Sequence, residues 1–192
     1  MDQKDFIKNY DFKFKKKFGQ NFLTDENVLT NIVKCAEIDK NTLVVEIGPG
    51  AGALTKKLVK VAKRVVAYEI DETLKPILDT IDADIIYGDF LKRNIKEDLS
   101  KYEYDKLYVV ANLPYYITTP ILTRIIECGV PVDKIVIMVQ KEVGDRLSSK
   151  PCSKDYNSLS IFVSYYYDVK KMFVVSKNVF VPKPNVDSIV IS

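Results

Sequence analysis

Five short apolar runs, each followed by a segment with helical spacing, constrain the fold more than any other feature of this sequence. The runs cover residues 42–47, 64–70, 84–87, 106–111 and 134–140. Continuous apolar runs of this length are typical of strands whose two faces are both covered. Apolar spacing predicts four helices. They cover residues 26–37, with Asp25 as the cap, a segment between the first two strands that ends at about residue 62, residues 72–80 and residues 119–128. Strands that alternate with helices predict a mainly parallel, doubly wound α/β sheet.

The C-terminal part of the chain departs from this alternation. Residues 170–175 and 186–191 form two strand-like runs without a full helix between them. We expect them to add a terminal antiparallel pair to the parallel sheet. The sequence therefore predicts one α/β domain over residues 19–192, preceded by an arm over residues 1–18.

Composition limits the chemistry that this chain of 192 residues can perform. It contains no histidine, which excludes a Ser-His-Asp triad and a histidine-ligated metal site, and we expect no metal. Cys35, Cys128 and Cys152 are odd in number and widely spaced, which predicts a cytoplasmic protein without a disulfide or zinc framework. Because no apolar run approaches the roughly 20 residues of a membrane span and no signal peptide is visible, we expect no membrane partner.

The net charge of +3 is concentrated in the N-terminal arm. Residues 1–17 contain six lysines and three aspartates, whereas the remaining residues are balanced in charge. Phe12, Phe14 and Phe18 lie among these lysines. A basic, aromatic arm is typical of a nucleic-acid contact. A solvated tail is the alternative that the composition leaves open.

Three consecutive predicted strands end in residues that suit a nucleoside-containing cofactor. Glycines at positions 48, 50 and 52 follow the first strand, where they allow a sharp turn and a close approach to a ligand. Glu69 ends the second strand, where an acid can bind both ribose hydroxyls. Asp89 ends the third strand, where a carboxylate can accept from an adenine amino group. NAD and S-adenosylmethionine both fit this pattern.

The segment Asn112-Leu113-Pro114-Tyr115 follows the fourth strand and favours S-adenosylmethionine. The Asn112 side-chain carbonyl and the Pro114 main-chain carbonyl are two acceptors for a planar amine, and Tyr115 offers a flat face for a nucleobase. This combination suits an amine that is being alkylated and has no evident role in hydride transfer. A strand-ending turn with a half-buried tyrosine is the ordinary structural interpretation of the same residues.

At this point the sequence resembles the ribosomal RNA adenine dimethyltransferases of the KsgA type, from Lys17 to the C-terminus. The matching motifs are Phe18-Gly19-Gln20-Asn21-Phe22-Leu23, Glu46-Ile47-Gly48-Pro49-Gly50, Glu69-Ile70-Asp71, Gly88-Asp89, Asn112-Leu113-Pro114-Tyr115-Tyr116-Ile117, Gln140-Lys141-Glu142-Val143, Asp145-Arg146-Leu147, Phe180-Val181-Pro182-Lys183-Pro184 and Val186-Asp187-Ser188. The resemblance implies a Rossmann-like class I S-adenosylmethionine-dependent methyltransferase. The sequence departs from the family pattern at Asn157, where family members usually have a glycine. We expect a left-handed turn there, because asparagine tolerates positive φ better than most residues.

The resemblance also implies roles for individual residues. Asn21 and Leu23 would close over the methionine end of S-adenosylmethionine. Gly48 and Gly50 would contact the backbone of the cofactor. Glu69 would bind its ribose, Asp89 its adenine, and Asn112 would lie at the reaction centre. Asn112, Pro114, Tyr115 and Phe180 would be the catalytic set, with Tyr115 and Phe180 stacking on the two faces of the substrate base.

The implied activity is N6,N6-dimethylation of two adjacent adenosines in small-subunit (16S) ribosomal RNA during maturation of the subunit. Leu113 and the motif around Phe180 favour this target over the large-subunit RNA that antibiotic-resistance relatives methylate. An RNA-binding assembly factor with little turnover is the other alternative. The partner would be the 30S ribosomal subunit, and we expect a monomer. Family members continue into a helical domain, without which we expect the chain to bind the cofactor, but to bind ribosomal subunits more weakly and to methylate slowly or not at all.

Overall fold

The structure is a computed structural model that describes residues 20–192, and its central feature is a seven-stranded sheet. In spatial order its strands are Asp84–Tyr87, Arg64–Glu69, Thr42–Ile47, Lys106–Asn112, Lys134–Gln140, Ser188–Ile191 and Lys171–Val175, and the first five are parallel. Seven α-helices are assigned in the described range, together with four short 3-10 turns. The elements are β1 (Phe22–Leu23), α1 (Glu26–Ala36), β2 (Thr42–Ile47), α2 (Thr55–Val61), β3 (Arg64–Glu69), α3 (Lys75–Leu78), β4 (Asp84–Tyr87), α4 (Ile95–Leu99), β5 (Lys106–Asn112), α5 (Thr118–Glu127), β6 (Lys134–Gln140), α6 (Lys141–Leu147), α7 (Ser158–Tyr166), β7 (Lys171–Val175), β8 (Phe180–Val181) and β9 (Ser188–Ile191).

Both faces of the sheet are covered, as the continuous apolar runs predict. Alternate residues of β2 enter different cores: Leu43 and Val45 belong to one cluster, and Val44 belongs to the other. Helices α1 and α2 contribute to the cluster of Val44, whereas α4 to α7 contribute to the cluster of Leu43. Because a strand points successive side chains to opposite faces, a strand between two helical layers has no polar side. The doubly wound α/β prediction is confirmed.

The antiparallel C-terminal strands are also confirmed, although they are shorter than predicted. β9 pairs antiparallel with both β6 and β7, and β7 forms the edge of the sheet. Between β6 and β7 the structure contains two helices, α6 and α7, that the strand pattern did not predict. Asn157 is the N-cap of α7 and accepts from the main-chain N–H groups of Leu159 and Ser160. The expected left-handed turn at Asn157 is therefore wrong, because its φ of −149° is extended and its side chain caps the helix instead.

A second, two-stranded sheet lies beside the site. β1 pairs antiparallel with β8, with Phe22 opposite Val181 and Leu23 opposite Phe180. This pairing joins residues that are far apart in the sequence and fixes the segment that contains Asn21. The predicted basic arm, residues 1–18, lies outside the described residues. In the described range, no helix combines the length and the apolarity that a membrane span needs.

Candidate active site

The site lies where the order of the parallel sheet reverses. β2 pairs with β3 on one side and with β5 on the other, so the loops that follow β2 and β5 leave the sheet in opposite directions and open a crevice between them. A cavity occupies this crevice. It is lined by the ends of β2 to β5 and by the segment around β1, including Asn21, Leu23, Gly48, Gly50, Glu69, Asp89, Asn112, Pro114 and Tyr115. The structure therefore brings together every predicted site residue except Phe180.

The glycine turn forms the floor of this cavity. Gly48 and Gly50 have φ angles of 71° and 56°, a region that disfavours residues with a Cβ. A Cβ atom at Gly48 would have no described atom within 4 Å, whereas one at Gly50 would lie 2.8 Å from Cε1 of Phe22. Gly48 therefore leaves open space for a ligand, and Gly50 lets Phe22 of β1 pack directly on the turn.

Glu69 holds the glycine turn and the following loop together. Its Oε2 accepts from the main-chain N–H of Gly50 at 3.1 Å, and its Oε1 accepts from the main-chain N–H of Asp71 at 2.8 Å. The Asp71 carboxylate in turn accepts from the Gln20 side chain at 2.8 Å. Burial raises the pKa of Glu69 to about 7, although the N–H groups of Asp71 and Gly50 act in the opposite direction. A buried acid lines the cavity at the position predicted for ribose binding.

Glu46 is a second buried acid in the cavity, and no role was predicted for it. Its side chain is 1% exposed, and its Oε2 has no hydrogen-bond partner among the described residues. Burial raises its pKa to about 8, and the negative charge of Glu69 adds to this increase. The signal in the sequence is a single acid inside the apolar run of β2. This carboxyl is therefore poised to interact with a polar or cationic ligand.

Asp89 lies at the end of β4 and combines a structural contact with access to the cavity. Its Oδ1 accepts from the main-chain N–H of Leu91 at 3.1 Å and caps the 3-10 turn Phe90–Lys92. Lys92 lies 3.9 Å from its Oδ2 and is itself largely exposed. The cap fixes the carboxylate beside the cavity. The predicted contact with a cofactor adenine stays a prediction.

Asn112 ends β5 with its amide group held in one orientation. Its Nδ2 donates to the main-chain carbonyl of Asn21 at 3.4 Å. A carbonyl can only accept, so the nitrogen of the amide must face Asn21. The Oδ1 atom is thereby directed away from this contact, and it remains an acceptor in the cavity that both residues line.

The prediction that the Pro114 carbonyl is the second acceptor for an amine is wrong. It already accepts from the main-chain N–H of Ile117 at 3.3 Å and from the Thr118 hydroxyl at 3.2 Å. These two bonds use both of its lone pairs, because a 3-10 turn folds back onto it. The Leu113 carbonyl, by contrast, has no hydrogen-bond partner among residues 20–192, although the Leu113 N–H donates to Met138 at 3.1 Å. Leu113 and Asn112 are therefore the pair of available acceptors.

The ring of Tyr115 is fixed from its far end. Its hydroxyl lies 2.6 Å from Oγ of Ser188, which is fully buried on β9. Burial raises the pKa of Tyr115, so the hydroxyl stays protonated near neutral pH. This hydrogen bond ties the motif after β5 to the C-terminal strands. Tyr115 lines the cavity, and its predicted stacking on a base stays a prediction.

The stacking predicted for Phe180 is not available in this structure. Phe180 is 3% exposed and belongs to the core cluster that contains Leu23 and Leu29. It does not line the cavity. The reason is the pairing of β8 with β1, which places Phe180 opposite Leu23 and turns its side chain into the core. In the part of the chain that the structure describes, Tyr115 therefore lacks Phe180 as the second aromatic face that the sequence predicted.

Comparisons with known proteins agree with this geometry. A model of the family described as ribosomal RNA adenine dimethylase matches residues 11–192. Similar curated proteins include a ribosomal RNA small subunit methyltransferase A from Macrococcus caseolyticus, 51% identical over 98% of this chain, and one from Staphylococcus aureus, 51% identical over 96%. The chain spans 66% and 65% of the lengths of these two relatives.

Solved structures with the same fold extend the comparison. A dimethyladenosine transferase from Plasmodium falciparum is 29% identical with a TM-score of 0.76, over 88% of this chain and 62% of that one. The 23S rRNA methyltransferase ErmE is 25% identical with a TM-score of 0.73, over 89% of this chain and 68% of that one. An RNA methyltransferase from Salinibacter ruber, solved with S-adenosyl-L-homocysteine, covers 88% of this chain and 92% of its own, and at 13% identity and a TM-score of 0.52 it shares the fold alone. The Rossmann-like class I methyltransferase fold is thus confirmed.

Proposed function

The chain belongs to the ribosomal RNA adenine dimethylase family, and on this premise we propose that it dimethylates the N6 amines of two adjacent adenosines in small-subunit (16S) ribosomal RNA. The methyl donor is S-adenosylmethionine, and the partner is the maturing 30S subunit. The observation that carries the proposal is the pair of available acceptors at the end of β5, Asn112 Oδ1 and the Leu113 carbonyl. The names of the curated relatives favour the small subunit over the large one.

The residues around the cavity suit S-adenosylmethionine. The open space above Gly48 allows close contact with the backbone. Glu69 and Asp89 would bind the ribose and the adenine, and Asn21 and Leu23 would cover the methionine end. When bound, the cofactor supplies a methyl group on a sulfonium cation with a good thioether leaving group. The Glu46 oxygen that has no partner among the described residues fits a cationic ligand, because a nearby positive charge favours the ionised form of a buried carboxyl.

The two acceptors would activate the amine of the substrate. The lone pair of an exocyclic adenine amine is delocalised into the ring, so the amine is a weak nucleophile. Hydrogen bonds from its two N–H groups to Asn112 and Leu113 would pull the nitrogen toward tetrahedral geometry and aim its lone pair at the methyl carbon. Bound S-adenosylmethionine would supply the methyl carbon and the thioether leaving group of the carbon–sulfur bond that breaks, and the surplus proton of the amine would pass to water. Positioning supplies most of the rate, so the lack of histidine is no obstacle.

The target base has to leave its stack to reach these acceptors, since the end of β5 lies inside a crevice. Unpairing costs a few kcal/mol, and it is offset by stacking on aromatic side chains and by hydrogen bonds to the base edge. The flat face of Tyr115 would provide part of this stacking. Its hydrogen bond to Ser188 keeps the ring in one orientation, which reduces the entropy lost when the base binds.

The proposal is tested by the product. The purified protein is incubated with radiolabelled S-adenosylmethionine and either small or large ribosomal subunits that lack the modification, and the labelled nucleosides are identified. We expect N6,N6-dimethyladenosine in small-subunit RNA alone. Label in large-subunit RNA would identify the antibiotic-resistance type of activity. Cofactor binding without any labelled nucleoside, on subunits that a longer relative does methylate, would favour an assembly factor.

The basic arm is the part of the proposal that concerns RNA affinity. Lys13, Lys15, Lys16 and Lys17 lie outside the described residues, so their role stays a prediction. Replacing all four by glutamine should weaken RNA binding and reduce its dependence on salt, because fewer counterions are released. Cofactor affinity should not change. A salt dependence identical to that of the wild type would show that the arm is a solvated tail.

A further inference from the structure

Tyr116 is an exposed aromatic residue at the mouth of the cavity. Its side chain is 57% exposed, and it lies in the 3-10 turn Tyr115–Ile117 directly after Pro114. Its hydroxyl makes no hydrogen bond within residues 20–192. The proline before it and the start of α5 after it fix the backbone. The ring is therefore held at the cavity by a stiff turn and keeps more than half of its surface exposed.

The position of Tyr116 distinguishes it from other exposed apolar side chains. Single exposed apolar residues are common on soluble proteins and need no explanation by themselves. In the described part of the chain, however, only Ile70 and Tyr116 are both large, exposed and part of the cavity wall. The other exposed tyrosines, Tyr165 and Tyr166, lie on α7 and do not line it.

The remaining aromatic residues of the cavity cannot offer a free face in the same way. Phe22, Tyr68 and Phe90 line the cavity but are buried in the core. Tyr115 is half-buried and held by Ser188. Among the described aromatic residues that line the cavity, Tyr116 is thus the one with a broadly exposed ring.

Tyr116 and Asp89 both line the cavity. Burial and the Asp89 carboxylate both raise the pKa of the Tyr116 hydroxyl. Asp89 is the residue proposed to accept from an adenine amino group. A flat aromatic face beside an acceptor for an exocyclic amine is a combination that binds a purine, by stacking on the ring and by hydrogen bonding at its edge.

We infer that Tyr116 is a nucleobase-stacking residue whose ligand is an adenine at the mouth of the cavity. The inference rests on the proposed function, which brings two kinds of adenine to this site: that of the cofactor and those of the RNA. Both would use the same chemistry, a purine ring on the phenol face.

The test compares Tyr116→Ala with Tyr116→Phe, which keeps the ring and removes the hydroxyl. Tyr165→Ala is the matched control, because Tyr165 is 82% exposed and lies away from the cavity. One arm measures the affinity for S-adenosyl-L-homocysteine by calorimetry. The other measures, with saturating S-adenosyl-L-homocysteine, the affinity for a short single-stranded RNA that contains two adjacent adenosines. Neither arm depends on turnover.

We expect Tyr116→Ala to lose roughly tenfold in affinity in one arm, with Tyr116→Phe and Tyr165→Ala close to the wild type. A loss in the first arm identifies the cofactor adenine as the ligand, and a loss in the second identifies the RNA base. The inference is overturned if Tyr116→Ala binds both ligands as well as the wild type, or if Tyr116→Phe loses as much as Tyr116→Ala. A wild-type protein that binds both ligands but forms no dimethyladenosine would refute the proposed function alone.

Discussion

Replacing Glu46 with glutamine should flatten the dependence of stability on pH. Below its ordinary pKa of 4.5, the Glu46 carboxyl is protonated in both the folded and the unfolded chain. As pH rises further, the unfolded chain loses this proton, whereas the folded chain retains it until about pH 8. The folded state then binds more protons than the unfolded state, so stability falls with rising pH through this window.

The size of the effect follows from the pKa of Glu46. Each pH unit within the window costs about 1.4 kcal/mol, so raising the pH from about 6 to about 9 should cost the wild type about 2–3 kcal/mol through this group. Glu69, with a pKa of about 7, contributes a smaller loss of the same sign. Glu46→Gln removes the first contribution and leaves the second, because burial and the Asp71 carboxylate raise the pKa of Glu69.

Urea unfolding of the cofactor-free protein at several pH values measures this difference. Glu103→Gln serves as the control, since Glu103 is exposed on the surface. The amide in Glu46→Gln is also a buried polar group, and its effect on stability does not depend on pH, so the slope against pH is the deciding quantity. If the slope of Glu46→Gln equals that of the wild type, the carboxyl of Glu46 does not stay protonated in the folded protein.

Three further substitutions test the site and its scaffold. Glu69→Ala should lower cofactor affinity at least tenfold in calorimetry, and unchanged affinity in the folded variant would remove Glu69 from the ribose site. Asn112→Ala should slow methyl transfer by roughly 10²-fold. The control Asn31→Ala, on the exposed face of α1, should leave the rate unchanged. Equal rates of methyl transfer in the two variants would contradict amine activation by Asn112. Gly52→Ala should destabilise the fold by about 1–3 kcal/mol in urea unfolding, and Gly129→Ala should destabilise it less. Both glycines have positive φ, but only Gly52 is packed against a side chain, that of Ile81. Equal losses of stability would mean that the Ile81 side chain moves away without cost.

The central sheet and the residues at its strand ends were determined by the sequence itself. A buried parallel strand has to be apolar on both faces, so runs such as Thr42–Ile47 are visible without any knowledge of their partners. The ends of neighbouring parallel strands meet at one edge, which brings the glycine turn, Glu69 and Asp89 to a single cavity. Fold class and the location of the site follow from this periodicity.

Helices α6 and α7 were missed because their sequences lack the signals used for the others. Helix α6 begins immediately after β6, so the apolar pattern of the strand runs into it without a break. Helix α7 carries apolar residues on most of its surface, including the exposed Tyr165 and Tyr166, and its cap is an asparagine where the family usually has a glycine. Its start depends on a capping box that local composition did not reveal.

Which groups of the site remain available to a ligand was decided only by the tertiary structure. The Pro114 carbonyl is occupied by the turn that follows it, whereas no group within residues 20–192 donates to the Leu113 carbonyl. Phe180 is turned into the core because β8 pairs with β1, about 160 residues away in the sequence. Residue types and spacing identify candidate acceptors and rings, but lone pairs and exposed faces depend on contacts between distant segments, and these exist only in the folded chain.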